Sequence, residues 1–551
     1  MQPPRAPEDV LGPARAWVAD DPDPASQAEI QALLDSNDLD ELNERFAQHL
    51  EFGTAGLRGR LRAGPNGMNL AVVTRAAAGL VDWLAERGAD GPLVIGYDAR
   101  HGSRRFAERT AEVARGNRRV AMLLPRPLPT PVLAYAVRAL DAVAGVMVTA
   151  SHNPAQDNGY KVYLGAALGG PAGNGAQIVS PADEEIEAAI GGAGPLAKVQ
   201  LRDGSTVLGA EIVDEYVRSA AATLPDGPRA LTVAYTPLHG VGGDVLAAAF
   251  ARAGFAAPHV VAEQAEPDPE FPTVPFPNPE EKGAMDLLLA LATATGADLA
   301  IANDPDADRC AVAVPGPDGV WTPLTGDQLG AVLADHLIRR GTPGTYATTI
   351  VSSTMLRAIC ASRGVPYRET LTGFKWIVRA DEDLAFGYEE ALGYCVAPSL
   401  VRDKDGITAA LLVAELAAGL RAEGRTVAGR LAELDVEFGV HATDQLAMRV
   451  DDLADIDRAM SHLREAPPAT LLGEPVTFED LLPENDILRL STSSARVVVR
   501  PSGTEPKLKA YLEVVRPTTA ATLTQDRLAA AEAVAGLKTE TAGALGLLGS
   551  A

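Results

Sequence analysis

A chain of 551 residues is longer than one hydrophobic core supports, so about three or four compact units are expected. Hydrophobic residues at 47% and charged residues at 22% exclude a disordered chain. The 48 Lys and Arg against 73 Asp and Glu give a net charge of -25, which argues against nucleic-acid or anionic-membrane partners and leaves any anionic ligand to a local cluster of cations.

The opening residues Met1-Gln2-Pro3-Pro4-Arg5 lack the basic-then-apolar pattern of a signal peptide, and no apolar run approaches a membrane span. A cytoplasmic protein is expected. Trp17, Ile30, Leu33, Leu34, Leu42, Phe46 and Leu50, spaced among acidic positions, predict amphipathic helices ahead of the first sheet. A strand-turn-helix-Gly-strand pattern then occurs three times. It first runs through Leu93–Gly96, Asp98–Ser103, Arg104–Arg115, Gly116 and Val120–Leu124. Its second occurrence is Leu231–Tyr235, Pro237–Gly243, a helix from Asp244, and Gly254. The third is Tyr346–Val351, Ser352-Ser353, a helix to Arg363, and Gly364. Each glycine is expected to supply the left-handed residue that ends its helix.

Alternating strands and helices imply mixed or parallel sheets covered on both faces, hence an α/β class with three similar domains. The stretch Val436–Val450, the helix-like Ile456–Arg464 and the strands Ala495–Val499 and Leu508–Val515 predict a smaller α+β domain. The expected division is 1–50, 51–205, 206–318, 319–435 and 436–551. Gly165–Gly175, Pro267–Pro279 and Pro315–Asp318 are expected loops, the first two long enough to be mobile. Cys310, Cys360 and Cys395 stand singly and are expected to be packing residues in a reduced compartment.

Four segments are rich in site-type residues. In Thr149-Ala150-Ser151-His152-Asn153-Pro154, a serine after an apolar strand and before a Pro-terminated turn can expose its hydroxyl as a nucleophile, with His152 beside it and Lys161 nearby as a cation or proton carrier. In Asp304-Pro305-Asp306-Ala307-Asp308-Arg309, residues two apart share a side of an extended chain, so three carboxylates converge on a hard divalent cation, favouring Mg²⁺. A calcium EF-hand fails, because Arg309 and Pro315 stand where it needs Gly and Glu.

The third segment comprises Leu371-Thr372-Gly373-Phe374-Lys375, then Gly387-Tyr388-Glu389-Glu390-Ala391-Leu392-Gly393, then Arg402-Asp403-Lys404-Asp405-Gly406. Its paired glutamates can accept hydrogen bonds from vicinal hydroxyls, and Lys404 could exchange a proton if burial lowered its pKa. In the fourth, Arg500-Pro501-Ser502-Gly503-Thr504-Glu505-Pro506-Lys507-Leu508-Lys509, backbone amides around Gly503, two hydroxyls and the cations Arg500 and Lys509 suit a phosphate. No Gly-Lys-Ser or Gly-Lys-Thr occurs, which excludes a Walker loop. Phe52-Gly53-Thr54-Ala55-Gly56-Leu57-Arg58-Gly59 adds an arginine among small residues.

The Thr-Ala-Ser-His-Asn-Pro, Asp-x-Asp-x-Asp-Arg and Arg-x-Ser-Gly-Thr-Glu-Pro runs, in this order, resemble the α-D-phosphohexomutases over roughly Phe52 to Val515. The resemblance implies a heart-shaped enzyme of three similar α/β domains and a smaller C-terminal one around a central cleft. It implies that Ser151 carries a phosphoryl group and that Asp304, Asp306 and Asp308, with a phosphate oxygen, hold Mg²⁺. Arg309 and Arg58 would flank the reacting phosphate, Thr372, Glu389 and Glu390 would recognise the sugar, and Lys404 and Lys161 would be acid/base candidates. The loop Arg500–Lys509, with Ser502, Gly503 and Thr504, would grip the phosphate that is not transferred.

A phosphosugar is then the expected partner, glucose 1,6-bisphosphate the expected activator, and a monomer or homodimer the expected state. Many family members have a serine after the paired glutamates, whereas this chain has Ala391. That variant looks like the branch holding phosphopentomutases and sugar-bisphosphate synthases alongside phosphoglucomutases. Interconversion of hexose 1- and 6-phosphates, glucose before mannose, is the leading expectation, with pentose 1- and 5-phosphates second. A phosphatase-like hydrolase and a non-catalytic sugar-phosphate binder are the alternatives of other classes.

Overall fold

The strands Leu93–Tyr97 and Ala144–Val148 are apolar at nearly every position and buried at every position, as strands covered on both faces by helices must be. In a computed structural model of the chain, which describes residues 10–53, 55–316, 318–450, 453–483, 485–501 and 507–546, they lie at the centre of a mixed seven-stranded sheet. Leu93–Tyr97 pairs in parallel with Ala144–Val148 on one side and Ala121–Leu123 on the other. Ala144–Val148 pairs antiparallel with Asp157–Leu164, which pairs antiparallel with Leu57–Arg60. The loop carrying Ser151 is therefore the connection between two buried, adjacent, antiparallel strands.

The chain divides into two compact units, residues 1–326 with 373–423, and residues 327–372 with 424–551. The first begins with helices Leu11–Asp20, Pro24–Ser36 and Leu39–Phe46, whose Ile30, Leu42 and Phe46 form a small core of their own, as the spacing predicts. Its second sheet joins Val233–Thr236 and Leu299–Ala302 in parallel and then Ala311–Pro315 and Trp321–Pro323 antiparallel. The hairpin Leu384–Glu389 and Gly393–Cys395 and the helix Gly406–Ala422 complete it.

In the second unit Thr345–Thr349 pairs in parallel with Tyr367–Thr370. A five-stranded antiparallel sheet there includes Val440–Arg449, Ala495–Pro501 and Lys507–Arg516. No helix among the described residues is long and apolar enough to cross a membrane. The three cysteines are buried and unpaired.

Two sequence expectations change. Gly254 and Gly364 are left-handed at φ 86° and 67°, but the first repeat uses Arg118 at φ 63°. Gly116 serves a different need, since a Cβ there would lie 1.8 Å from the carbonyl oxygen of Gln200. Gly165–Gly175 is not an irregular loop, for Ala166–Gly173 is helical with a break at Gly170, where φ is 64° and Pro171 follows. Ala166, Ala167 and Leu168 are strong helix formers and outweigh the flanking glycines.

The stretch Val436–Val450 holds the end of the helix Val427–Phe438, and Gly439 at φ 93° turns the chain into the strand Val440–Arg449. The helix Leu523–Ala544 had no clear signal, because its many alanines blur the apolar period.

Candidate active site

Ser151 lies three residues beyond its strand, 3% exposed, with a left-handed φ of 53°. Such a conformation costs a non-glycine residue roughly 1 kcal/mol or more, so its surroundings must hold it. Its amide donates to Thr149 Oγ1 at 2.9 Å, and its hydroxyl donates to Asp304 Oδ2 at 2.8 Å. His152 Nδ1 is 3.1 Å from the same hydroxyl. Burial, with Arg309 and Arg58 nearby, pushes the His152 pKa well down and leaves the imidazole neutral.

The three aspartates converge, one carboxylate oxygen of each lying within 4.8 Å of the others, and all are buried. The cause differs from the strand alternation expected of i, i+2 and i+4. The segment is a turn after Leu299–Ala302, with Ala307 left-handed at φ 53°. Asp304 Oδ1 accepts from the Arg309 amide at 3.0 Å. Asp306 Oδ2 accepts from Thr130 Oγ1 at 2.7 Å and from Lys161 Nζ at 2.8 Å. Asp308 Oδ2 faces Lys161 Nζ at 3.1 Å and Lys404 Nζ at 3.4 Å.

The other oxygens, Asp306 Oδ1 and Asp308 Oδ1, are buried without a hydrogen-bond partner among the described residues. Buried carboxylate oxygens are costly to leave unpartnered. Three oxygen ligands of which two are orphaned fit a hard divalent cation. Without one, the charges settle unevenly. Burial and the neighbouring Asp306 and Asp308 push the Asp304 carboxyl well above the usual range. Burial acts the same way on Asp308, but Lys161, Lys404 and Arg309 outweigh it and hold that carboxyl well below.

The lysines report the same coupling. Burial works to lower the pKa of Lys161, but Asp306 and Asp308 hold it up. Burial likewise works against the charge on Lys404, and Asp308, Asp403 and Glu389 more than offset it. The lowered pKa that would make Lys404 a base is therefore not what its surroundings produce, and Lys404 is held protonated.

Arg309 Nη1 reaches Glu280 Oε2 at 3.2 Å while its buried Nε has no partner among the described residues. Arg58 Nη1 donates to Asn153 Oδ1 at 3.1 Å. Glu389 ends its strand and Glu390 begins the hairpin turn, so the pair belongs to a hairpin, not a helical turn. Burial raises the Glu389 pKa, with Lys404 and Arg309 opposing. Gly393 makes an isolated bridge with Arg309, and a Cβ at Gly393 would lie 2.4 Å from Lys404 Cδ and 2.9 Å from Glu389 Oε1.

The first unit thus brings together Ser151, His152, Lys161, Asp304, Asp306, Asp308, Arg309 and Lys404, with Arg58 and the glutamate hairpin as further members. Thr372, Arg500 and Lys509 belong to the second unit. The Thr372 hydroxyl is buried without a hydrogen-bond partner among the described residues. Arg500 and Lys509 are direct cross-strand partners. Like charges so placed repel, and an anion relieves the repulsion. Ser502, Gly503 and Thr504, like Thr54, lie outside the described residues.

Sequence reasoning missed Thr130, Asp403 and Arg100. Asp403 Oδ2 accepts from Gln177 Nε2 at 3.0 Å and faces Lys404 through its other oxygen. Arg100 sits in the turn after Leu93–Tyr97, where a charged residue at a fully apolar strand's end was the available signal.

Comparison with known proteins gives the family. Family models described as Phosphoglucomutase/phosphomannomutase, alpha/beta/alpha domains I, II and III, match residues 49–193, 214–317 and 325–435, and the C-terminal domain of that family matches 446–531. A "Probable phosphomannomutase" of Haemophilus influenzae is 47% identical over 456 residues, which is 81% of this chain and 93% of that protein. The phosphopentomutase of Homo sapiens is 34% identical over 91% of this chain and 90% of its own length. A crystal structure of a phosphoglucomutase/phosphomannomutase family protein from Burkholderia thailandensis shares the fold, with a TM-score of 0.67 at 20% identity over 88% of this chain and 97% of that one. With all four domains matched in order and a relative at 47% identity, this chain belongs to the phosphoglucomutase/phosphomannomutase family, within the α-D-phosphohexomutase superfamily, and is an intramolecular phosphotransferase.

Proposed function

We propose that the chain interconverts the 1- and 6-phosphates of a hexose, glucose first and mannose second, through a phosphorylated Ser151 and a sugar bisphosphate. One observation carries the reading: the Ser151 hydroxyl is 2.8 Å from Asp304 in a buried triad whose other two aspartates each keep an unpartnered oxygen. Asp304, Asp306 and Asp308 would hold Mg²⁺, which when bound neutralises charge on the phosphoryl oxygens.

The chain's own groups account for the rest. The bond from phosphorus to Ser151 Oγ breaks as one forms to the free sugar hydroxyl, whose proton passes to neutral His152 as that ring gives one up to Ser151 Oγ, so that no proton is gained or lost overall. His152 Nδ1 lies 3.1 Å from the serine oxygen and suits this relay in both senses of transfer. Protonated Lys404 can hold a hydrogen bond to the reacting sugar oxygen without giving up its proton. Arg58 and Arg309 offer fixed positive charge to the phosphoryl group in transit. The bisphosphate then turns round and gives its other phosphate to Ser151. Arg500 and Lys509, with Ser502, Gly503 and Thr504, would grip whichever phosphate is idle, by charge and backbone amides.

A second reading, a phosphopentomutase, is favoured by Ala391 in the glutamate hairpin and by the phosphopentomutase likeness over 91% of the chain. The two are separated by initial rates on the 1-phosphates of glucose, mannose, glucosamine, ribose and deoxyribose with Mg²⁺ and glucose 1,6-bisphosphate. The hexose reading expects glucose 1-phosphate to be fastest. A pentose faster by about tenfold or more, each factor of ten being ~1.4 kcal/mol of transition-state binding, overturns it. Free phosphate without isomer formation would overturn mutase chemistry altogether.

A further inference from the structure

We propose that Arg100 is the positioning residue that holds the Ser151 loop in its transfer-competent shape, an inference that rests on the phosphoserine reading above. The loop between Ala144–Val148 and Asp157–Leu164 contains a left-handed serine, and the Thr149 hydroxyl alone fixes only its amide. The carbonyl side is fixed from beneath by one guanidinium. Arg100 Nη2 donates to Ser151 O at 2.7 Å and also to Asn153 O, while Nη1 donates to Pro154 O at 2.7 Å and Asp157 O at 3.2 Å. Four carbonyls spanning seven residues thus converge on two nitrogens of one side chain.

The guanidinium is itself held on several sides. Its Nε lies 3.5 Å from Asp98 Oδ2, and Asp98 Oδ1 is anchored by the Arg100 amide at 3.0 Å and Ser103 Oγ at 2.6 Å. The Phe271 ring, from the long loop of the second α/β region, covers it at 4.8 Å from Cζ. Arg100 is 4% exposed and its donors are turned to the loop backbone, so it acts through Ser151.

Two physical consequences follow. First, carbonyl oxygens turned onto Arg100 cannot turn toward a phosphoryl group on Ser151, so the loop presents less negative potential to a dianion. Second, a planar fork with several donors can satisfy carbonyls in different directions, which a lysine, a point charge with three rotatable donors, does with less geometric definition. Loss of the fork should misplace the serine oxygen by a fraction of an ångström to an ångström, a displacement that costs about 100-fold in rate.

The test uses full-length Arg100→Lys and Arg100→Ala proteins with Mg²⁺, assayed on the faster of glucose 1-phosphate and ribose 1-phosphate. Expected for Arg100→Lys is a folded protein with kcat down by about 10- to 100-fold and KM changed by less than about threefold, because the group acts on the transferring oxygen and not on sugar binding. Phosphorylation of Ser151 by glucose 1,6-bisphosphate, followed by mass spectrometry, should slow by the same factor. Added guanidinium should restore part of the Arg100→Ala rate, which a merely structural role would not predict.

A folded Arg100→Lys with kcat within about threefold of the parent, or a loss carried by KM, overturns the proposal. So does failure of both variants to fold, which would make Arg100 a folding residue. Ser151→Ala separates this outcome from failure of the phosphoserine reading, since turnover surviving in Ser151→Ala removes that reading whatever Arg100 does.

Discussion

Each unit of the molecule buries a serine against a carboxylate, and the two clusters resolve their charges in opposite ways. In the second unit Glu513 Oε1 accepts from Ser353 Oγ at 2.7 Å and the Thr354 amide at 2.8 Å, with His441 Nδ1 at 2.9 Å, and Arg496 Nη2 faces Oε2 at 3.2 Å. Oε1 has three donors, and Oε2, which makes no hydrogen bond among the described residues, is faced by the Arg496 guanidinium. In the first unit Asp306 Oδ1 and Asp308 Oδ1 have no hydrogen-bond partner among the described residues, and Ser151 sits in a left-handed backbone that Ser353 does not share. A polar cluster whose one bare oxygen is faced by a fixed guanidinium is a clamp. One that keeps orphaned oxygens beside a strained serine is waiting for a ligand, and residue composition alone would not separate the two.

The sharpest way to break the comparison is to remove the serine of the first unit. Ser151→Ala should cut turnover by at least about 10⁴-fold, as loss of a covalent carrier does, while the thermal midpoint moves by no more than about 2 °C. A coupled isomer assay beside thermal unfolding reads both. Near-normal turnover would show that no covalent step passes through this serine.

Asp304→Asn comes next. The lysines pair with Asp306 and Asp308, whereas Asp304 accepts from the Ser151 hydroxyl and the Arg309 amide. The substitution should therefore raise the half-saturating Mg²⁺ concentration by about 100-fold and leave the metal-free protein no less stable. Calorimetric titration and urea unfolding without metal check the two halves.

Glu513→Gln should do the reverse, costing about 3 kcal/mol of stability at neutral pH because Arg496 loses its buried counter-charge. Burial works to raise the Glu513 pKa, but the His441 hydrogen bond and the Arg496 charge outweigh it and bring it from 4.5 down to about 2. A depressed carboxylate stabilises the fold above its unfolded pKa and loses that contribution as pH falls through the folded one. The gap between parent and variant should accordingly be full above about pH 5 and close between about pH 4.5 and 2. Urea unfolding at several acidic pH values would show it, and a gap independent of pH would remove Glu513 as the charged centre of the clamp.

The smallest expected effect is Ala391→Ser. A hydroxyl in the glutamate hairpin should raise the ratio of kcat/KM for glucose 1-phosphate over ribose 1-phosphate by about fivefold, the worth of one hydrogen bond. An unchanged ratio would mean that position 391 does not reach the sugar.

Much of this was legible in the sequence. The repeated strand-turn-helix pattern located Leu93–Tyr97, Val233–Thr236 and Thr345–Thr349 to within a few residues, because buried parallel strands are continuous apolar runs and glycine marks most helix ends. Ser151 and the three aspartates were singled out because polar residues bounded by apolar strands have few bland explanations. The reason given for the aspartates was not the right one. Alternation along a strand would have separated them from Lys161 and Thr130, whereas a turn through left-handed Ala307 gathers them inward. Arg100 and Asp403 were not legible, since their importance lies in contacts 50 to 226 residues away in sequence. The helix at Ala166–Gly173 was hidden by glycines, which the helix propensity of Ala166, Ala167 and Leu168 outweighs.

The bridge between Arg309 and Gly393 joins the turn that gathers the aspartates to the hairpin that bears the paired glutamates, and the Cys310 amide adds a bond to Leu392 O at 3.1 Å. On the proposed roles, sugar discrimination and cation retention would therefore share a backbone seam. Variants selected at positions 389 to 393 for a new sugar should carry altered magnesium requirements as a side effect, so selectivity in this enzyme cannot be tuned as a free-standing module.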